Sequence, residues 1–246
     1  MTRRAELLKR LEHLPVVGPL LLRLLMLVRR TGFGGSVSYW ENRYTHGGTS
    51  GLGSFGAYAR FKAETVNNFV AQQTVTSVIE FGCGDGNQLT LMHYPSYTGL
   101  DVSVAAIARC REHFASDDTK RFFLYEPLTR HREGVPYQAD VALSLDVIYH
   151  LVEEDVFNRY IAHLFAAAKK YVIIFSSDTD ENPLYAGPHL KHRKFSHSIA
   201  ATQPHWRLLQ TIENTVVSEN QAELAGAAAD FYIYEKFQTA PHEQPR

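Results

Sequence analysis

The sequence predicts an α/β fold in which a doubly wound, mostly parallel sheet carries helices on both faces. Short apolar runs alternate with helical patterns from about residue 75 onward. These runs are continuously apolar, which is typical of parallel strands covered on both sides. A glycine-rich turn follows the first run, at the place where such sheets bind nucleotides. The length of 246 residues and a hydrophobic content of 45% fit one globular domain with attachments.

Residues 1–31 are predicted to form a basic, amphipathic helical arm outside this domain. Residues 1–30 carry a net charge of +5, so the rest of the chain carries −6. Arg23 interrupts the apolar run of the arm, which is too short to span a bilayer and lacks a signal-peptide cleavage site. Two interpretations stay open. The arm packs on its own domain or on a second subunit, or it lies on an anionic membrane with its apolar face down.

Charge and cysteine content limit the partners and the compartment. A net charge of −1, with no basic stripe in the main domain, predicts no nucleic-acid partner. Two cysteines cannot build a disulfide framework. We therefore expect a cytoplasmic protein, and the arm leaves peripheral contact with the inner face of the membrane as an alternative.

Residues 32–72 are predicted to form an aromatic, glycine-rich flap followed by a leading helix from about residue 58 to 71. The flap contains several aromatic rings between glycines and serines. Because plain linkers seldom contain aromatic rings, we expect these rings to cover a binding site. Tyr39 and Trp40 are accordingly candidate substrate-binding residues.

The remaining elements follow in order along the chain. Strands are predicted at 75–81, 97–101, 122–125, 139–145 and 171–176, with helices at 104–114 and 153–168. A short helix should follow the glycine turn. A polar, histidine-rich loop region begins after residue 177, and two further strands are predicted at 206–217 and 231–237.

The stretch from residue 78 to 87 is the most informative part of the sequence. Gly82, Gly84 and Gly86 follow a buried strand, and glycine permits positive φ and lets a ligand approach the backbone. A dinucleotide fingerprint would need glycine where Asn87 stands, which disfavours NAD. Asp101 ends the next strand, where an acidic residue can accept both hydroxyls of a ribose. Asp101 could instead, or in addition, cap the helix that follows.

The motifs EFGCGDG, GLDVS and ALSLDVIYHL together resemble those of the class I S-adenosylmethionine-dependent methyltransferases. The resemblance covers about residues 75 to 237 and implies a seven-stranded sheet with an antiparallel last strand. It implies that residues 73–240 form the catalytic domain and that S-adenosylmethionine is the cofactor. The glycine turn would face its methionine part and Asp101 its ribose. The residues assigned in this way to the cofactor are Glu80, Gly82, Cys83, Gly84, Gly86, Asp101, Val102 and Leu145.

Two parts of the cofactor have less distinct candidates. The family often places an Asp against adenine after the third strand, whereas this sequence reads FFLYEPL, which leaves Tyr125 or Glu126 for that contact. The cofactor carboxylate needs a cation or a cluster of amides. Arg60 and Lys62 are the candidates for it, and either could equally be a solvated surface charge.

The segment after the fourth strand contains the candidate catalytic residues. By resemblance it lines the methyl-transfer cleft, and Asp146 and His150 share one face if the segment is helical. His150 is the first choice for general base because histidine ordinarily titrates near neutral pH. The alternative is that His150 packs at a helix end and only shapes the pocket. Tyr149 belongs to the core or to the cleft.

Basic residues after the fifth strand are candidate contacts for the acceptor. His189, His192 and Arg193 would bind an anionic acceptor such as a sugar phosphate, or form a solvated basic loop. They have no carboxylate or Cys partner at a ligand spacing, so no metal is predicted.

The combined prediction is methyl transfer to a small or carrier-linked acceptor, at an oxygen of a sugar or secondary metabolite. Nucleic-acid methyltransferase motifs are missing after the fourth strand, which reads SLDVIYH. N-methylation of an amine or peptide is the alternative within the same class. A non-catalytic module that binds the cofactor or a protein is the alternative from another class.

Overall fold

A computed structural model describes residues 33–127, 137–182, 187–216 and 229–237 of the chain. The predicted arm at residues 1–31 lies outside the described residues, so its helical character and its partner stay predictions.

Seven strands form one sheet in the order β3-β2-β1-β4-β5-β7-β6. β7 runs antiparallel to β5 and β6, whereas the other neighbouring pairs are parallel. The predicted doubly wound sheet with an antiparallel last strand is therefore confirmed. The strands are β1 Val78–Phe81, β2 Tyr97–Asp101, β3 Lys120–Leu124, β4 Ala139–Leu145, β5 Ala168–Ser176, β6 Trp206–Ile212 and β7 Asp230–Lys236.

Five α-helices surround the sheet in the described part of the chain. They are α1 Ser36–Thr45, α2 Gly56–Gln72, α3 Val104–His113, α4 Glu154–Ala167 and α5 Phe195–Thr202. Short 3₁₀ helices occur at Leu52–Ser54, Gln88–Leu91 and Ile148–His150. α1 lies inside the segment predicted as an irregular flap, and α5 lies inside the predicted histidine-rich loop region.

The sheet separates two hydrophobic clusters, as its continuous apolar strands predict. In β1, Val78 belongs to the cluster under α2 and α3, and its neighbour Ile79 belongs to the cluster under α4 and α5. Because successive side chains of a strand point to opposite faces, both must be apolar when both faces are covered. Val66 of α2 and Leu164 of α4 are completely buried on these two faces.

Among the described residues, no helix combines the length and the apolar character that crossing a membrane requires.

Candidate active site

Two adjoining cavities open at the carboxyl ends of the parallel strands. We call the first the glycine-turn cavity; its lining includes Glu80, Gly82, Gly84, Asp101 and Tyr125. We call the second the aromatic cavity; its lining includes Tyr39, Trp40, Tyr58, Tyr149 and His189. Four residues line both cavities, namely Trp40, Ser50, Asp146 and His150.

Gly84 shows why the turn after β1 requires glycine. Its φ is +58°, and a Cβ at this position would lie 2.3 Å from Ser50 Oγ and 2.8 Å from the Tyr44 hydroxyl. Its backbone N–H donates to Asp101 Oδ2 at 2.9 Å. Any side chain would therefore both strain the backbone and displace the segment that covers the turn.

Two buried acids face the glycine-turn cavity. Burial raises the pKa of Glu80 to about 7, and the Tyr97 hydroxyl donates to Glu80 Oε2 at 2.6 Å. Burial also raises the pKa of Asp101 to about 6. Asp101 Oδ1 accepts from the Ser103 N–H at 2.9 Å, so this carboxylate holds the glycine turn and the start of α3 together. Desolvation of both acids favours a ligand that brings hydrogen-bond donors.

Gln88 adds a buried acceptor that the sequence analysis missed. Its Nε2 donates to the Ala59 carbonyl at 3.0 Å, which fixes the side-chain amide. Its Oε1 is buried and has no hydrogen-bond partner among the described residues, although Gln88 lines the glycine-turn cavity. An unsatisfied buried acceptor is costly, so this position also favours a ligand with a donor.

The lining of the glycine-turn cavity suits S-adenosylmethionine. This lining contains acidic and amide oxygens that could accept from the donors of a ribose and an ammonium group, and it contains the cation of Lys62. Tyr125 is buried in the lining, and its hydroxyl is 3.0 Å from His163 Nδ1. The predicted cofactor residues that line this cavity are Lys62, Glu80, Gly82, Cys83, Gly84, Asp101, Val102, Tyr125 and Leu145.

Three predicted cofactor residues lie elsewhere. Gly86 is packed against the end of α3, where a Cβ would come within 2.9 Å of the Phe114 ring. Glu126 and Arg60 are exposed and line neither cavity. In each pair of candidates the buried residue lines the cavity: Tyr125 rather than Glu126, and Lys62 rather than Arg60.

Asp146 occupies a strained position directly after β4, where both cavities meet. Its φ is +61°, which is uncommon for a residue other than glycine. Lys62 Nζ lies 2.5 Å from Asp146 Oδ2, and the Tyr149 hydroxyl donates to Asp146 Oδ1 at 2.8 Å. Each carboxylate oxygen of Asp146 is therefore already hydrogen-bonded.

His150 faces both cavities as a neutral imidazole. Burial lowers its pKa to about 3, so the expectation of a pKa near neutrality was wrong. Its Nδ1 lies 3.2 Å from the His189 carbonyl oxygen, which places the proton on Nδ1 and leaves Nε2 as the acceptor. Among the described residues, Nε2 has no hydrogen-bond partner.

Helix α1 supplies the rings of the aromatic cavity. Tyr39 stacks on His189 with a centroid distance of 4.3 Å, and Trp40 meets the His150 ring edge-on at 4.8 Å. Ser36 anchors the start of the helix: its backbone N–H donates to Glu153 Oε1 at 2.8 Å, and its Oγ lies 2.6 Å from Glu153 Oε2. Tyr39 and Trp40 were predicted to cover a binding site from an aromatic, glycine-rich flap. In the structure both residues belong to a helix, and both line the aromatic cavity.

The segment between α1 and α2 is fastened to the glycine turn. Ser50 donates to both carboxylate oxygens of Asp85, from its backbone N–H at 3.0 Å and its hydroxyl at 2.7 Å. Arg109 donates to the Gly48 carbonyl at 2.8 Å, which ties the same segment to α3. Ser36, Ser50 and Glu153 were not predicted from the sequence, because their partners lie far away in the chain.

Of the predicted anion site formed by His189, His192 and Arg193, the last two residues line neither cavity. Arg193 is buried and donates to the carbonyls of Leu151 and Val152 at 2.5 and 2.8 Å. His192 Nδ1 lies 2.6 Å from Ser177 Oγ. Both side chains satisfy backbone or hydroxyl groups of the protein, and of the three predicted basic residues His189 lines the aromatic cavity.

Comparisons with known proteins agree with this geometry. The family model described as "Methyltransferase domain" matches residues 55–235. None of the curated proteins matches the chain in sequence.

Solved methyltransferase structures share the fold. The N-methyltransferase NodS from Bradyrhizobium japonicum WM9, in complex with S-adenosyl-L-homocysteine, has a TM-score of 0.62 at 12% identity, over 82% of this chain and 98% of that chain. Magnesium protoporphyrin IX methyltransferase from Synechocystis PCC 6803 has a TM-score of 0.55 at 14% identity, over 85% and 99%. The mitomycin 7-O-methyltransferase MmcR has a TM-score of 0.54 at 16% identity, over 74% and 55%.

Three observations agree with one another: the match to the family model, the strand order, and the glycine turn with its buried acids. The chain belongs to the class I methyltransferases, enzymes that use S-adenosylmethionine as the methyl donor.

Proposed function

We propose that this enzyme methylates an oxygen of a small or carrier-linked acceptor that binds in the aromatic cavity. The observation that supports the proposal is the meeting of the two cavities at Asp146 and His150. An acceptor in one cavity and the cofactor in the other would thus meet beside a neutral imidazole. Positioning of the two reactants supplies most of the acceleration that such a displacement needs.

The proposed roles in cofactor binding follow from the lining of the glycine-turn cavity. Bound S-adenosylmethionine supplies an electrophilic methyl group on a sulfonium. Asp101 accepts from the ribose hydroxyls, while Glu80 and Gln88 face the ammonium end. Lys62 offers its positive charge to the carboxylate, and Tyr125 packs against the adenine.

His150 is the proposed general base, acting through Nε2. The His189 carbonyl accepts the Nδ1 proton and so fixes the ring orientation. The burial that lowers the pKa of His150 keeps Nε2 unprotonated throughout the neutral range, and the nearby charge of Asp146 favours the imidazolium that forms. General-base catalysis contributes about 10²–10⁴ in rate when the pKa of the base lies near the working pH. Asp146 accepts hydrogen bonds from Lys62 and Tyr149, so its proposed role is to stabilise and orient rather than to take the proton.

A screen of acceptors with labelled cofactor tests the proposal, using His150→Gln as the diagnostic variant. We expect S-adenosylhomocysteine affinity within about two-fold of the parent and methyl transfer lowered about 10²-fold or more. His192→Gln is the matched control, because His192 lines neither cavity. Full activity of His150→Gln on an oxygen acceptor would remove His150 from the mechanism.

The same screen separates the alternatives. An amine acceptor that is methylated equally well by the parent and by His150→Gln would indicate N-methylation, since a free amine needs no base to become nucleophilic. Cofactor binding without transfer to any acceptor would favour a non-catalytic module. Flotation with anionic liposomes, with and without residues 1–30, tests peripheral membrane contact; a concentration-dependent change in mass instead would indicate dimerisation.

A further inference from the structure

The lining of the aromatic cavity defines the shape of the acceptor more narrowly than the proposed function does. Six of the thirteen residues that line it carry aromatic or imidazole rings, namely Tyr39, Trp40, Tyr58, Tyr149, His150 and His189. Flat ring faces and edges at close spacing favour a flat, conjugated ligand, which can stack and bury a large apolar area.

Part of the polar lining that a polyhydroxylated ligand would use is already hydrogen-bonded within the protein. Asp146 accepts from Lys62 and Tyr149, so one acceptor position on each of its oxygens is already used. The Ser50 hydroxyl donates to Asp85 and lies 3.0 Å from the Tyr44 hydroxyl. A sugar would bury several hydroxyls here without their full set of partners, which is costly.

Arg43 of α1 brings a positive charge to the same cavity, and among the described residues it forms no ion pair. Its Nε donates to the Thr49 carbonyl at 2.6 Å, and its guanidinium lies 5.6 Å from the centroid of the Trp40 ring. These contacts fix the guanidinium plane. Its two terminal nitrogens have neither a hydrogen bond nor an ion pair among the described residues, which leaves the fork that binds a carboxylate or phosphate free.

We infer that the acceptor is a planar, conjugated hydroxy compound carrying an anionic group, and that Arg43 binds that group. This inference rests on the proposed function and replaces the His192–Arg193 cluster with Arg43 as the anion site. A bound anion would also change the basicity of His150, the proposed general base. Burial, and then the charge of Arg43, lowers the pKa of His189, and Arg43 is also among the causes that lower the pKa of His150. Neutralising Arg43 therefore makes both imidazoles more basic.

Calorimetric titration of the full chain, saturated with S-adenosylhomocysteine, tests the inference with two matched pairs of probes. The pairs are 3-hydroxybenzoate with phenol, and 6-hydroxy-2-naphthoate with 2-naphthol; within each pair the anionic group is the main difference. We expect each anionic probe to bind about ten-fold more tightly than its neutral counterpart, since hydrogen bonds to charged groups are the stronger ones. Glucuronate and methyl glucoside serve as the sugar pair and should bind more weakly than the aromatic anions.

Three variants locate the effect. Arg43→Gln should reduce the preference for the anion to less than about two-fold, whereas Arg43→Lys, which keeps the charge, should retain part of it. Arg60→Gln, which changes an exposed arginine outside both cavities, should behave as the parent. Thermal unfolding of each variant shows whether the fold is intact, and its S-adenosylhomocysteine affinity shows whether the glycine-turn cavity is intact.

Several results would overturn the inference. They are equal binding of the anionic and neutral probes, a preference that survives in Arg43→Gln, no binding of any aromatic probe, or tighter binding of a sugar. Failure of the proposed function looks different, because it would appear as an absence of cofactor binding or of methyl transfer to any acceptor. A methyl group found on a neutral or non-aromatic acceptor would overturn the inference and leave the proposed function standing.

Discussion

Lys62 and Asp146 form a buried ion pair that joins α2 to the end of β4 at the meeting point of the two cavities. Their side chains are 1% and 16% exposed. Removing one member of a buried pair leaves the other charge without compensation, which is a large penalty. The pair is therefore a structural support for the strained backbone at Asp146 as well as part of the lining of the active site.

Replacement of Lys62 should show this cost directly. We expect Lys62→Met to lower the free energy of unfolding by about 3 kcal/mol, measured by urea denaturation without ligand. Lys170→Met is the matched control: Lys170 pairs with Asp140 but is 52% exposed, so its loss should cost about 0–1 kcal/mol. Equal effects of the two substitutions would contradict the supporting role of Lys62.

Glu80 should make stability depend on pH in a predictable direction. Its pKa is raised from 4.5 to about 7 in the folded protein, so the folded state binds its proton more tightly than the unfolded state does. The stabilising contribution is complete below pH 4.5 and is lost as the pH rises through 7. Glutamine stays neutral and can still accept from Tyr97, so Glu80→Gln should unfold at a higher temperature than the parent at pH 8.

At pH 5 the two proteins should unfold at nearly the same temperature, and calorimetry at both pH values checks the difference. Comparison of the variant with the parent cancels the opposite contribution of His150 and His189, whose lowered pKa values favour the folded state above pH 6.5. Cofactor affinity should fall in Glu80→Gln. A variant that is less stable than the parent at pH 8 would count against a desolvated carboxylate.

Gly84 and Gly56 form a matched pair for testing the fit of the glycine turn. Both have positive φ, at +58° and +59°, but a Cβ at Gly56 would meet nothing within 4 Å. Gly56→Ala should cost only about 1–2 kcal/mol of backbone strain and leave cofactor affinity unchanged. Gly84→Ala should cost more and should weaken S-adenosylhomocysteine binding, measured by calorimetry, because the Cβ collides with Ser50. Unchanged S-adenosylhomocysteine binding by Gly84→Ala would contradict the close packing of Ser50 on the glycine turn.

Glu153 should control how firmly α1 is held over the site. In Glu153→Gln both contacts with Ser36 lose their charge, and one of the two acceptor oxygens becomes an NH2 donor. We therefore expect faster hydrogen exchange of the amides in Ser36–Thr45. The neighbouring Glu154→Gln is the control, since Glu154 contacts Lys191 and Arg193 instead. If both variants exchange alike in α1, then Glu153 is not its anchor.

The sequence predicted the central strands well because burial on both faces leaves a distinct pattern. The bounds of β2 and β4 agree with the predicted ranges, and nearly all residues of both strands are buried. α1 was missed for an equally physical reason. Its sequence contains few strong helix formers, and the carboxylate at its N-terminus comes from Glu153, more than a hundred residues away.

The parts of the site that local motifs form were predicted from the sequence. The parts that depend on contacts between distant elements were missed. The glycine turn and Asp101 follow from spacing alone. The pKa of His150 depends on rings from α1 and from the segment around His189, which no local pattern reveals. Arg193 was assigned to the acceptor on its charge, yet the carbonyls that it satisfies belong to Leu151 and Val152.

The walls that the two cavities share imply a thermodynamic coupling between the two ligands. Trp40 and Ser50 contact both spaces and belong to one segment, which Ser36 and Asp85 fasten at separate points. Where binding orders this segment further, the first ligand bears that entropic cost and the second binds to a wall already in place. By reciprocity each ligand would then raise the affinity for the other by the same factor. We therefore expect cooperativity between donor and acceptor, because a single segment of the chain lines both cavities.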